Sequence, residues 1–244
     1  MSALLDCVSV ANMRESDRKT IEGLVPSLTL MYRAAMGVYR AADWRGAIAI
    51  AVGSGNNGGD GFALACILKG NGVPCRVVTL SEKLSPDSAH FAAKARALGV
   101  PVEPYAEGAF HGCDMVADCL LGTGFHGAPR EPYAAAIREM NESGATVVSV
   151  DVNSGMNGDT GEAALAVRSG LTVTIGFVKR GLVVPEAGAY MKRLVVADIG
   201  IVLDREEWKL APDRSEDSPA GENLLPRPAW LDPRVIDVRE VEYV

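Results

Sequence analysis

The 244-residue chain lacks any run of about 18 apolar residues, so it offers no transmembrane helix. Its first fourteen residues have no basic start, no long apolar centre and no small-residue cleavage site, which predicts that no signal peptide is present. None of its five cysteines (Cys7, Cys66, Cys75, Cys113, Cys119) stands in a Cys-x-x-Cys pair. Their odd number, with Cys66 and Cys119 inside apolar runs, predicts reduced core thiols, a cytoplasmic setting and no cysteine-held metal. Aromatic residues make up only 6% of a chain that is 48% hydrophobic, an aliphatic balance typical of parallel-sheet α/β proteins. A net charge of −7 disfavours nucleic acid and anionic membranes as partners. The three histidines, His90, His111 and His126, are scattered, and His90 falls on a polar helix where solvent is expected. No internal repeat is evident.

The chain does alternate strands and helices. Apolar runs predict strands at Ala47–Val52, Arg76–Leu80, Val116–Leu121, Thr146–Val150, Leu171–Ile175 and Leu194–Asp198. Helices are predicted at Arg18–Leu24, capped by Ser16 or Asp17, and at Leu28–Arg40, Phe62–Asn71, Pro86–Leu98 and Pro132–Ser143. This order predicts a doubly wound, mostly parallel sheet with right-handed crossovers. The pattern fades near Leu203. Residues 1–210 are therefore expected to form one domain and residues 211–244 a proline-rich tail, extended or poorly ordered, whose alternating end Val235–Val244 can dock on the body or on a neighbouring subunit.

The segment Gly53–Gly61 packs five glycines, two asparagines and one carboxylate into nine residues between a strand and a helix. Glycine lets backbone N–H groups approach a ligand, and a helix N-terminus favours phosphate. Gly53, Gly55 and Gly58 satisfy the dinucleotide pattern Gly-x-Gly-x-x-Gly, with Glu82 near the position of the ribose-binding acid. Asp60 argues against that reading, because a carboxylate inside a phosphate cradle is repelled unless it meets a cation, a hydroxyl or a reacting centre. A P-loop is excluded by the absence of Gly-Lys-Ser/Thr.

Two more loops at strand ends carry unusual chemistry. Gly122-Thr123-Gly124-Phe125-His126-Gly127-Ala128-Pro129-Arg130 again offers free N–H groups. His126 has no visible orienting partner, and Arg130 can pair with phosphate or with Glu131, the latter being the expectation. The third loop reads Asp151-Val152-Asn153-Ser154-Gly155 and continues to Gly161. Asp118 lies within an apolar strand and must be paired, hydrogen-bonded or bound to a cation. With the neutral oxygens of Asn57 and Ser154 it forms a candidate hard-cation set, whose low charge suits a monovalent ion better than Mg²⁺.

Taken in order, Asn56-Asn57-Gly58-Gly59-Asp60-Gly61, Asp118-x-x-x-Gly122-Thr123-Gly124, Arg130-Glu131-Pro132, Asp151-x-x-Ser154-Gly155 and Asp159-Thr160-Gly161 resemble the YjeF N-terminal family. Thr172–Gly176 with Lys179 and Gly181, Val196–Ile201, and Asp17–Ala35 resemble it too, so the likeness covers roughly residues 10–203. It implies a Rossmann-like three-layer α/β/α sandwich and an NAD(P)H-hydrate epimerase, interconverting the R and S epimers of hydrated NADH or NADPH beside a separate dehydratase. It implies that Asn56, Asn57, Gly58, Gly59, Asp60, Gly122, Thr123, Gly124, Phe125, His126, Gly127, Ala128 and Asp151 contact the substrate. It also implies that Asn57, Asp118 and Ser154 hold a potassium ion, and that the chain is a homodimer. Asp151 is the first candidate for acid–base work and Asp60 the second. Asn153 stands where many members have proline, which should loosen the backbone before Ser154. Tyr32 and Arg33 replace the usual Glu-Asn or Glu-Arg, which removes the expectation of a substrate contact there. The rival readings are a non-catalytic scaffold or nucleotide-binding module of the same fold, and an ordinary nicotinamide-dependent dehydrogenase.

Overall fold

The computed structural model describes residues 4–211 and 223–243. Its centre is an eight-stranded, wholly parallel sheet. In chain order the twelve strands are β1 (Leu5–Val8), β2 (Ile48–Val52), β3 (Arg76–Thr79), β4 (Val102–Pro104), β5 (Met115–Cys119), β6 (Thr146–Val150), β7 (Leu171–Ile175), β8 (Val178–Lys179), β9 (Leu194–Asp198), β10 (Trp208–Ala211), β11 (Leu224–Pro226) and β12 (Leu231–Asp237). The helices are α1 (Val10–Gly23), α2 (Ser27–Ala41), α3 (Asn56–Gly70), α4 (Pro86–Ala97) and α5 (Tyr133–Glu142).

The large sheet runs β4-β3-β2-β5-β6-β7-β9-β12, which is Rossmann order with the chain reversing direction of travel between β2 and β5. Strand β2 is buried on both faces, so its apolar run is continuous. Ile48, Ile50 and Val52 meet α2, α3 and α4, while Ala49 and Ala51 face the layer of α5 with Phe110, Ile137 and Met140. Three layers result. Beyond α5, that second layer is completed by the 3-10 turns at Arg180–Leu182 and Pro185–Ala189 and by a small sheet, β11-β10-β1-β8.

Helix α1 begins at Val10 rather than near Arg18, because Ser9 caps it by accepting from the Asn12 N–H. A buried polar stripe, Asn12, Ser16 and Thr20, repeats every four residues and docks on backbone 202–205. Asn12 Nδ2 donates to Arg205 O at 2.8 Å, and the N–H groups of Asp204 and Val202 donate to Ser16 Oγ and Thr20 Oγ1 at 2.9 and 3.0 Å. The stripe explains why hydrophobic periodicity hides this helix: its anchors are polar.

Residues 224–226 and 231–237 are strands, not a loose tail. β12 extends the large sheet beside β9, and β11 pairs with β10. Arg33 Nε and Nη1 donate to Val241 O and Ile199 O at 2.7 and 3.2 Å. Tyr243 packs on Tyr32 and Phe91, and its hydroxyl meets His90 Nε2 at 2.7 Å and Lys94 Nζ at 3.1 Å. Tyr32 and Arg33 thus receive the C-terminal segment, and His90 is bonded rather than simply solvated. Pro212 and Pro219 lie outside the described residues. Among the described residues no helix is long and apolar enough to cross a membrane. All five cysteines are unpaired, and burial pushes the thiols of Cys66 and Cys75 up to about 11.

Candidate functional site

A cleft of about 830 Å³ opens at the carboxyl ends of β2 and β5, the topological switch point where ligands of such sheets bind. Asn56, Asn57, Asp60, Gly122–His126 and Asp151 all line it. Gly58 and Gly59 are buried behind them in α3, while Gly127 and Ala128 are exposed outside the lining. Glu82 and Arg130 are exposed and do not line it either. Arg130 leaves Glu131 to Arg138, which bonds Glu131 Oε1 at 2.5 Å.

Helix α3 starts at Asn56, six residues before the apolar run suggests, so Asn56–Asp60 form its first turn. Its N-cap is Gly55, with no side-chain cap, which leaves the N–H groups of the first turn facing the cleft. The surrounding glycines serve a different purpose from the one expected. A Cβ on Gly53 would fall 2.0 Å from Leu120 O, and one on Gly58 would fall 2.2 Å from Gly53 O. These glycines let α3 and the end of β2 press backbone to backbone; the anion-binding capacity lies in the open helix end.

Asp118 is fully buried at the end of β5. Its carboxylate accepts from Ser154 Oγ at 2.5 Å, Ser154 N–H at 3.0 Å, Ser149 Oγ at 2.9 Å and Leu120 N–H at 3.4 Å. Burial still raises its pKa above the usual carboxylate range, with the Ser154 and Ser149 bonds opposing. Ser154 Oγ in turn accepts from the Leu121 N–H at 2.8 Å, and Asn57 Nδ2 donates to Leu121 O at 3.1 Å. Asn57 Oδ1 is buried with no hydrogen-bond partner. An orphaned carbonyl oxygen beside a ring of neutral oxygens and one carboxylate is what a monovalent cation would satisfy. Among the described residues, no three His, Cys, Asp or Glu side chains group as metal ligands.

Asn153 tightens the third loop instead of loosening it. Its buried Nδ2 donates to Val167 O, Tyr190 O and Ser169 Oγ at 3.0, 2.9 and 3.1 Å, and its Oδ1 accepts from Thr172 Oγ1 at 2.7 Å. Where proline would fix one dihedral, this amide ties down three chain segments.

Asp151 has φ 67°, the one left-handed non-glycine residue among those described, a strain typical of functional positions. Its Oδ1 is bonded by Lys179 Nζ and accepts the Ile175 N–H at 3.3 Å. Lys179 is 1% exposed, and its ammonium also donates to Ile175 O at 2.6 Å and Thr174 Oγ1 at 3.1 Å. The partner of Asp151 is thus a buried lysine that the sequence showed only as part of a motif.

Asp60 is different. Its carboxyl has no hydrogen-bond donor among the described residues, and its proton affinity is raised well above that of an ordinary aspartate. Desolvation is the main cause, followed by Asp151 and Asp17, with Lys179 opposing. An ion-paired carboxylate and a carboxyl group that holds its proton more tightly than an ordinary aspartate line the same cleft, an arrangement suited to acid catalysis. Asp17 of α1, read from sequence as a cap candidate and not as a site residue, lines the same cleft, and its pKa is raised by burial and by Asp151.

The family described as YjeF-related protein N-terminus matches residues 27–181. The chain is 34% identical over 230 residues to a bifunctional NAD(P)H-hydrate repair enzyme, Nnr, of Coxiella burnetii, covering 86% of this chain and 47% of that protein. It is 36% identical over 202 residues to an NAD(P)H-hydrate epimerase of Limosilactobacillus fermentum, covering 78% of this chain and 95% of that one. The crystal structure of yeast ynu0 superposes with a TM-score of 0.65 at 25% identity, over 72% of this chain and 83% of that one. The chain therefore belongs to the YjeF-related N-terminal family. It spans about half the length of the bifunctional relatives and nearly the whole length of the single-function epimerase.

Proposed function

We propose that this chain is an NAD(P)H-hydrate epimerase, an isomerase of metabolite repair acting on hydrated NADH and NADPH. The observation that carries the reading is one cleft that holds both Asp60, a desolvated carboxyl with no donor among the described residues, and the Asp151–Lys179 ion pair, beside the uncapped end of α3. The relatives' names supply the substrate class.

The substrate carries a hydroxyl on a carbon next to the ring nitrogen. Its diphosphate fits the first turn of α3 and the Gly122–Gly124 loop, where backbone N–H groups and the helix dipole favour negative charge. Arg14, which donates to Thr123 O at 3.3 Å, adds a cation at that mouth. The Asp60 acid gives its proton to the departing hydroxyl while the nitrogen lone pair forms a cationic iminium. The Asp151 carboxylate, fixed by Lys179, stabilises that positive charge. Water returning to the carbon completes the exchange.

Asn57 Oδ1, Ser154 and Asp118 would hold a potassium ion, which when bound would order the loops after β2, β5 and β6 by electrostatic attraction. Potassium chloride is expected to raise the melting temperature above that in lithium chloride at equal ionic strength, with the difference lost in Asn57→Ala. The unpaired thiols suit a reducing, cytoplasmic compartment, and a separate dehydratase would consume one epimer. A homodimer is the expected assembly.

The test mixes purified protein with one epimer of hydrated NADH and follows the other by chromatography. The wild type should bring the two to equilibrium, and Asp60→Asn should be slower by about 10²–10⁴-fold. A folded wild-type protein that leaves the epimer ratio at its spontaneous rate would refute the reading. The dehydrogenase alternative loses ground because Glu82 lies outside the cleft and two of the three Gly-x-Gly-x-x-Gly glycines, Gly53 and Gly58, are packing contacts.

A further inference from the structure

Four carboxyl groups line the cleft with a single buried ammonium: Asp17, Asp60 and Asp151, and the half-exposed Asp87 in the first turn of α4; the epimerase reading uses Asp60 and Asp151. Asp151 belongs to Lys179. Asp60 and Asp17 have no hydrogen-bond or ion-pair partner among the described residues, and they come from different walls. Asp60 stands in the first turn of α3, at the end of β2. Asp17 stands on α1, which crosses the carboxyl ends of the strands: Met13 faces Gly176 after β7, and Arg14 faces Gly124 after β5. Met13, Arg14, Asp17 and Ile21, spaced at helical intervals, are the cleft-facing stripe of α1. The remaining charges of that helix are otherwise engaged: Glu15, Arg18 and Glu22 pair with one another, and Lys19 with Asp204. Asp17 is the one charged side chain of α1 besides Arg14 that enters the site, and the Asn12–Ser16–Thr20 stripe holds its helix in place.

Epimerisation sets a requirement that a single acid does not meet. The hydroxyl must leave from one face of the ring and water must enter from the other, and each face needs its own proton-transfer group. We propose that Asp17 is the second catalytic carboxyl, serving the face of the ring opposite to Asp60. This inference rests on the epimerase reading above.

A carboxylic acid on the first face protonates the leaving oxygen. The C–O bond breaks with its electron pair going to oxygen, and the nitrogen lone pair forms the C=N⁺ bond. On the second face a water oxygen bonds to the carbon, the π pair returns to nitrogen, and the second carboxylate takes the water proton. One carboxyl has lost a proton and the other has gained it, so the reverse reaction starts from the mirror state.

Exchange of solvent oxygen separates this from simpler roles. In H₂¹⁸O, Asp17→Asn should epimerise at least about 10²-fold more slowly. It should still incorporate label into one epimer, whose hydroxyl can leave and return on the Asp60 face. Asp60→Asn should do the same for the other epimer. Asp17→Ser repeats the measurement with a smaller side chain should the amide disturb folding, which circular dichroism will show. Wild-type epimerisation in a folded Asp17 variant, or loss of label exchange in both epimers alike, would overturn the proposal. A wild-type protein that neither epimerises nor exchanges would overturn the activity itself, a separate result.

Discussion

Asp60 illustrates how a residue proposed for catalysis works against the stability of its own fold. Folding raises its proton affinity, so between the unfolded value near 3.8 and the higher folded value the native state binds more protons than the unfolded one. Stability contributed by this group is therefore present at low pH and falls as pH rises through that window. Asp60→Asn removes the term at neutral pH. We expect the variant to epimerise far more slowly yet to melt higher at pH 7, each 1 kcal/mol being worth roughly 2–4 °C, with the gain shrinking toward pH 4. A lower melting temperature at pH 7 would show that the carboxylate is better satisfied than its surroundings indicate. Asn153 works in the other direction. Removing its amide leaves the carbonyls of Val167 and Tyr190 without that donor, so Asn153→Ala should cost about 2–4 kcal/mol in denaturant unfolding. Asp118 and Asp60 were legible in the sequence because a carboxylate in an apolar or glycine-rich setting needs an explanation. Lys179 and Asp17 were not, because nothing local distinguishes a lysine after a short strand or an aspartate in a charged helix; their meaning comes from residues more than twenty positions away.

At the scale of elements, the C-terminal segment is held by a few specific contacts on α2 and α4. Arg33 is buried and supplies donors to Val241 O, Ile199 O and Glu242, while the Tyr243 ring closes an aromatic cluster with Tyr32 and Phe91. Arg33→Ala should cost about 2 kcal/mol and speed amide exchange in residues 238–243, with β2 unaffected. Equal loss of protection in β2 would mean that the segment does not open on its own. The central strands were readable to within a residue or two because burial on both faces writes a continuous apolar run. Strands β1, β4, β8, β10 and β11 were not, because two to four residues carry too little pattern. Strand β12 was masked by the prolines around it, although Pro233 sits within a register shift against β9 where the sheet tolerates it. The start of α3 was missed for a physical reason too: its first turn is written in Gly, Asn and Asp, which read as a loop until a helix end is needed to face a ligand.

On the scale of the whole molecule, the site is assembled from distant parts of the chain. The switch point supplies Asp60 and the Gly122 loop, and β6 supplies Asp151. The roof is α1, whose attachment is peculiar: β1 pairs with β10 some 200 residues later, Ser9 N–H donates to Glu207 Oε2 at 2.5 Å, and Asn12 reaches Arg205 O. In kinetic terms the N-terminal helix has a very high contact order, and closing so long a loop is entropically expensive before it is rewarded. Pulse-labelling exchange during refolding should therefore protect Ile48–Val52 and Met115–Cys119 before residues 5–20. Catalytic competence would then lag behind the formation of the central strands, so that a chain emerging from the ribosome carries most of its floor and no roof until residues 202–211 have been made.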